Sequence, residues 1–235
     1  MKNNDPFGNA CIAYLKGIRG LEIKVKSDHA EDDTIPVDYL FRTYQEMPLI
    51  EQTALNLCKG KVLDIGAGAG CHSKWLNKNG FQTSSIDKSI GACKAMKAQN
   101  INAQHVDFYN YSEKEKFDTL LALMNGTGIS GNIEHFASFL NKCKDLLSPN
   151  GQLLIDSSDI IYLFENEKEL KAHTNGKYYG QVKYQMVFDG AKTEWFDWIY
   201  LSFEKLHELS SQNGFNCELV IEGNHYDYLA KLTVK

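Results

Sequence analysis

The chain has 235 residues, 43% hydrophobic and 23% charged, with 25 Lys+Arg against 30 Asp+Glu and a formal net charge of −5. That length buries roughly 70% of the surface an extended chain exposes, which predicts one domain with an elaboration. Arg19 and Arg42 are the only arginines, and without clustered guanidinium groups neither nucleic acid nor an anionic membrane is an expected partner.

The six cysteines (Cys11, Cys58, Cys71, Cys93, Cys143, Cys217) form no C-x-x-C pair and the seven histidines no H-x-x-x-H pair. Neither a disulfide framework nor a metal site is expected. The start, MKNNDPFGNA, lacks the apolar run of a signal peptide, and the runs at 120–124 and 160–164 are too short to span a bilayer. A cytoplasmic location follows as the expectation.

Residues 1–60 read as N-terminal strands and a helical cap. Within them, 37–58 reads as two short helices broken at Pro48, which suits a first helical turn, with Ile50, Ala54, Leu57 and Cys58 on one apolar face. This pair is expected to cap the carboxyl edge of a sheet. From Lys61 onward, short β-rich runs alternate with helical periodicity: runs at 61–65, 82–86, 101–106, 117–124 and 152–155, helices at 71–78, 89–99 and 132–147. The last helix carries Ile133, Phe136, Leu140, Cys143 and Leu147 on one stripe, and Pro149-Asn150-Gly151 stops it. Alternating strands and helices imply right-handed β-α-β units. The expected fold is α/β, a doubly wound, Rossmann-like, mostly parallel sheet over 61–235, joined to the cap as a single structural domain.

After the fifth run the pattern changes. Residues 180–188 and 192–200 alternate with period two around Asp189-Gly190, a hairpin signal within an insertion at 177–201. Eight of the chain's 27 aromatic residues, Tyr178, Tyr179, Tyr184, Phe188, Trp195, Phe196, Trp198 and Tyr200, fall in 178–200. Two roles stay open for the hairpin: a wall over a ligand, or a packing or dimer surface. A helix at 203–212 and two runs at 218–221 and 228–234, close enough to pair antiparallel, complete the chain.

The segment Val62-Leu63-Asp64-Ile65-Gly66-Ala67-Gly68-Ala69-Gly70 is a strand entering a glycine-rich turn and then a helix. Glycines let the backbone turn sharply and approach a ligand, and the helix start offers unpaired N–H groups. A dinucleotide fingerprint G-x-G-x-x-G/A fails, since Cys71 or Ser73 would occupy its third place, and no Gly-Lys-Ser/Thr closes a phosphate loop. What remains is D-x-G-x-G-x-G with an acid on the strand just ahead. In this the sequence resembles the class I S-adenosylmethionine-dependent methyltransferases, over roughly residues 39–160.

The resemblance implies S-adenosyl-L-methionine as cofactor and assigns candidate contacts. They are Asp64, Gly66, Ala67, Gly68 and Gly70 in the loop, Asp87 with Lys88 at the end of the second run for the ribose, and Asp107 and Phe108 after the third for the adenine. Met124 and Asn125 follow the fourth run, where the family lines the opening between cofactor and substrate. Tyr44, in the segment that often closes over the cofactor, is a further candidate. Arg42 is read either as a carboxylate ligand or as a salt bridge to Glu46 at i+4.

No catalytic residue is assigned. The expected function is direct methyl transfer to a small-molecule acceptor, by a monomer or homodimer; the alternatives are a non-catalytic cofactor-binding module or, against the glycine spacing, an NAD-dependent oxidoreductase.

Overall fold

The structure is a computed structural model that describes residues 4–28, 31–164, 170, 174 and 177–235. Residues 1–3 and 29–30 of the expected cap segment lie outside it. Among the described residues no helix is long and apolar enough to cross a membrane.

The core is a seven-stranded sheet. Its strands are β3 (Lys61–Ile65), β4 (Gln82–Asp87), β5 (Ala103–His105), β6 (Phe117–Ala122), β7 (Leu147–Ser158), β11 (Phe215–Glu222) and β12 (Asp227–Val234), in the order β11-β12-β7-β6-β3-β4-β5. The five from β7 to β5 run parallel, while β12 enters antiparallel to β7 and β11 antiparallel to β12. Both faces are buried, as parallel sheets require. Alternate residues separate cleanly: Leu63, Ile65, Leu120, Leu153 and Ile155 join Phe136, Phe139 and Leu140 in one cluster, while Val62, Leu121 and Leu154 join Ala54, Leu55 and Leu76 in the other.

Helices α3 (Cys71–Lys78), α4 (Ile90–Ala98) and α5 (Ile133–Leu146) follow β3, β4 and β6, and α6 (Phe203–Gln212) precedes β11. Asn132 caps α5 through its side chain, which accepts from the His135 N–H, and the helix stops at Leu146, before Pro149. The Pro-Asn-Gly segment read as a terminator is itself part of β7, whose register against β6 shifts there.

The first sixty residues depart most from expectation. α1 (Pro6–Leu15) is a full helix, capped by Asp5 with Pro6 in its first turn. The first of the two helices expected within 37–58 is instead a pair of 3₁₀ turns, Val37–Phe41 and Tyr44–Glu46; α2 (Leu49–Leu57) follows Pro48 as expected. β1 (Glu22–Ser27) and β2 (Asp33–Pro36) do not stand alone: β1 pairs with β8 (Gln181–Phe188), with Lys24 opposite Val187. With β9 (Ala191–Lys192) and β10 (Phe196–Ile199), these strands make a second, wholly antiparallel sheet in the order β10-β8-β1-β2, β9 pairing with β8.

Candidate active site

The chain reverses direction across the main sheet between β3 and β6, and ligands bind doubly wound sheets in the crevice at such a switch point. The glycine loop after β3 lies there. Gly66 and Gly68 have φ of +69° and +57°, conformations that favour glycine. The N–H groups of Gly66 and Ala67 both donate to the Ile86 carbonyl, at 2.9 and 3.0 Å, which pins the loop to the end of β4. Asp87 completes the tie: its Oδ2 accepts from the Gly68 N–H at 2.9 Å and its Oδ1 from the Ser89 N–H at 2.7 Å. Burial pushes the Asp87 carboxyl above its ordinary range, and the two backbone N–H groups and Lys88 work against that.

Two motif residues sit behind the loop rather than in it. Asp64 is buried and accepts from the Ser73 hydroxyl at 2.6 Å, which itself meets the Ser85 hydroxyl at 2.7 Å. Its carboxyl braces the start of α3 under the turn, and burial raises its pKa. Gly70 turns its back on the crevice, since a Cβ there would press on Ile101 and Met96 at 2.7 and 2.8 Å.

In front of the loop opens a cavity of about 1530 Å³. Its walls include Gly66, Ala67, Gly68, Asp87, Lys88, Asp107, Phe108, Met124 and Asn125 from the sequence-derived set. Asp64, Gly70 and Tyr44 are absent from these walls. Tyr44 is turned into the packing of the cap, stacked on Trp75 with ring centroids 4.9 Å apart and accepting from the Asn56 amide at 2.8 Å. Asp107 accepts from the Tyr109 N–H at 2.9 Å and so caps a short turn, and Phe108 packs on Phe139.

Helix α1 supplies a wall that the sequence reading did not foresee. The Phe7 ring lies 3.4 Å from where a Gly68 Cβ would stand, and Gly8 and Gly91 let α1 and α4 touch backbone to backbone. Asp5 joins the two helix starts, its carboxylate accepting from the N–H groups of Gly8 and Gly91 and from the Ser89 hydroxyl. The signal was present as Asp5-Pro6, an N-cap followed by a first-turn proline.

The opposite wall is the second sheet, through Tyr184, Met186, Phe196, Trp198 and Tyr200. Its end is fastened to the turn after β6. Met124 and Asn125 in that turn both have left-handed φ, +64° and +63°, a strained pair for non-glycine residues. Asp156 holds them, Oδ2 accepting from the Met124 N–H and Oδ1 from the Gly126 N–H at 3.1 and 2.9 Å. The Asn125 amide and Thr127 hydroxyl donate to the Ile199 carbonyl, and the Ser157 hydroxyl donates to Asn125 while accepting from the Leu201 N–H. Trp198 lies flat against Gly128, where a Cβ would stand 2.0 Å from the indole. Asp156, Ser157 and Trp198 carried no local sequence signal for these contacts.

Arg42 pairs with neither the expected Glu46 nor an open ligand position. Glu46 is taken by a capping box with Thr43, and Arg42 is buried against Glu51, with Nη2 and Nε at 2.5 and 3.2 Å from Oε2. His72 Nε2 meets the same oxygen at 2.8 Å. Burial opposes a charge on His72, but the neighbouring Cys71 thiol and the hydrogen bond to Glu51 outweigh it and hold the imidazole well above its ordinary pKa. Glu51 is correspondingly held below the usual carboxylate range: burial pushes it up, and His72 and Arg42 more than reverse that.

The family model of a methyltransferase domain matches residues 39–219. A crystal structure of a S-adenosylmethionine-dependent methyltransferase from Bacteroides fragilis in complex with S-adenosyl-L-homocysteine matches at TM-score 0.90 and 39% identity, covering 100% of this chain and 96% of that one. An uncharacterized methyltransferase of Staphylococcus carnosus is 25% identical over 195 residues, 83% of this chain and 86% of that protein. The methyltransferase CcbJ from Streptomyces caelestis shares the fold, at TM-score 0.58 and 12% identity over 81% of this chain and 94% of that one.

Proposed function

The chain belongs to the S-adenosylmethionine-dependent methyltransferase family, and from that premise we propose direct methyl transfer to a small-molecule acceptor held between the two sheets. The observation that carries the reading is the position of the cavity, with the glycine loop and Asp87 on one side and the aromatic face of the second sheet on the other. The residues present fit the cofactor. Each Asp87 oxygen accepts one N–H and keeps a lone pair for a ribose hydroxyl. Gly66 and Gly68 bring the backbone of the loop to the cavity wall without side chains, with Phe7 lying beside Gly68, and Phe108 offers an apolar wall to a ring. Asp107, Lys88, Met124 and Asn125 complete the proposed set.

When bound, S-adenosyl-L-methionine supplies a methyl group already activated on a sulfonium. The protein then has to position the acceptor and exclude water, and orientation of this kind can contribute roughly 7–11 kcal/mol. The second sheet supports a small acceptor because it covers the strand ends. The clamp of Asn125, Thr127 and Ser157 on β10 fixes that wall, so the acceptor is oriented by a built surface.

Calorimetric titration with S-adenosylhomocysteine and, separately, with NAD tests the cofactor, and the expected result is binding of the first only. Incubation with methyl-labelled S-adenosylmethionine and a fractionated metabolite extract tests the acceptor, with label expected in the low-molecular-mass fraction. Label confined to protein would overturn the small-molecule reading, and intact cofactor after long incubation would favour a non-catalytic module.

A further inference from the structure

We propose that the cavity-facing side of the second sheet is the acceptor subsite, and that it takes an uncharged aromatic ring carrying one hydrogen-bond-accepting group. This rests on the methyl-transfer reading and adds the chemical class of the acceptor. The cavity of about 1530 Å³ exceeds the roughly 300–1,000 Å³ of a pocket for one ligand, so it has room for an acceptor beside the cofactor. Strand pairing puts Val25, Ile35, Tyr184, Met186, Phe196 and Trp198 on one side of the sheet, and all six line the cavity. Lys24, Lys26, Lys183 and Lys192 alternate onto the opposite side and are exposed.

Ile35 and Met186 pack on the α1 cluster, whereas among the described residues Tyr184, Phe196, Trp198 and Tyr200 join no core cluster and stay half-buried. Apolar rings left half-covered beside a cofactor loop gain when an apolar ligand takes water's place. The rings also form a corner. Tyr184 meets Phe196 at 6.4 Å with the planes tilted by 57°, and Tyr200 at 6.5 Å and 81°. Rings set at such angles and spacings receive a further ring in edge-to-face or offset contact. The corner is held at the turn after β6, because Ile199, between Trp198 and Tyr200, accepts from Asn125 and Thr127.

The polar groups of this face define what the ring carries. The Tyr184 and Tyr200 hydroxyls lie 3.0 Å apart, and among the described residues each hydrogen-bonds only to the other. Two hydroxyl protons serve one hydrogen bond, so one O–H is left to donate to a ligand. Burial holds both phenols above their ordinary pKa, and the pair keeps that proton. Charge is scarce on this side: among the described strand residues Asp33, on the outer strand β2, is the one charged group there. Lys88 already occupies the Phe196 ring, its ammonium 5.1 Å from the centroid. A carboxylate or ammonium on the ring would lose its hydration to an apolar face.

The test is titration of acetophenone, cyclohexyl methyl ketone, benzoate and benzylamine into the full chain saturated with S-adenosylhomocysteine, followed by ligand-observed NMR. Acetophenone is expected to bind at least about three-fold more tightly than the saturated ketone, the preference that aromatic contacts add beyond area. It should exceed either charged probe by at least about ten-fold. Tyr184→Leu and Phe196→Leu should each bring the ring preference below about two-fold while S-adenosylhomocysteine affinity stays within about three-fold of wild type. The double variant Tyr184→Phe with Tyr200→Phe keeps the rings and removes both hydroxyls; it should retain the ring preference and weaken acetophenone by about three-fold or more. Should one leucine variant fail to fold, the other decides. Equal or tighter binding of the saturated ketone or a charged probe, no binding of acetophenone, or a ring preference that survives the leucine substitutions would overturn the subsite. Unchanged acetophenone affinity in the double variant would overturn the hydroxyl donor. Failure of the wild-type chain to bind S-adenosylhomocysteine would instead remove the methyl-transfer reading.

Discussion

The two sheets face each other across one cavity but are assembled from very different distances along the chain. In the seven-stranded sheet, the loop 66–70 and its partner Asp87 come from consecutive strands, and β3, α3 and β4 form one right-handed unit. In the five-stranded sheet, residues 24–27 pair with residues 184–187. Its fastening to the turn after β6 again spans long separations, Asn125 and Thr127 reaching Ile199. The cofactor side is therefore built from local units, and the opposite wall exists only once the fold has closed. Damage on one side should leave the other measurable.

The sharpest way to break this division is Gly68→Val. A β-branched residue at φ +57°, with Phe7 already 3.4 Å from the Cβ position, strains the loop and fills the approach to it. S-Adenosylhomocysteine affinity should fall by about a hundred-fold or more, given strain of about 1–3 kcal/mol plus the blocked approach. Calorimetry measures the affinity and circular dichroism shows that the chain remains folded; near-wild-type affinity would sink the loop assignment.

Asp87→Ala should cost about 1.5–3 kcal/mol of cofactor-product binding, the range for hydrogen bonds to a charged group, or roughly ten- to a hundred-fold. Part of the loss comes through the loop, because Asp87 also holds the Gly68 N–H. Wild-type affinity in this variant would show that the ribose role is misplaced.

Gly128→Ala probes the other wall and should have the smallest effect on the cofactor. The added methyl collides with Trp198 at 2.0 Å and pushes β10 off the turn, an overpacking cost of about 1–3 kcal/mol. Methyl turnover should drop by about ten-fold while S-adenosylhomocysteine affinity changes by less than about three-fold. Parallel loss of both would mean that the two walls are energetically one unit.

Legibility in the sequence followed the same division. The β3 run, the glycine loop, α3 and β4 were readable because period-two and period-3.6 patterns are local and both faces of a parallel sheet must be apolar. Misreadings arose where two local partners competed or a local signal was short. The i+4 spacing offered Glu46 to Arg42, but Thr43-x-x-Glu46 is a capping box that consumes that carboxylate. Arg42 then turns inward to Glu51, nine residues on. Tyr44 was placed near the cofactor by position in the chain, whereas its ring completes an apolar cluster against Trp75. α1 has only its start, Asp5-Pro6, as a local signal, since the segment PFGNACIAYL contains too many small residues to show an apolar stripe.

The sequence by itself determined the alternation of strands and helices, the glycine turn at the switch point and the family to which the chain belongs. Those depend on residues a few positions apart, whose geometry the backbone dictates wherever the segment lies. Only the tertiary structure decided that the hairpin strands join the N-terminal strands, that Phe7 covers Gly68, and that Glu51, His72 and Asp156 converge behind the Met124–Asn125 turn. Such contacts depend on which surfaces are buried together and which buried polar groups must find partners, and those demands arise only when the whole chain has folded.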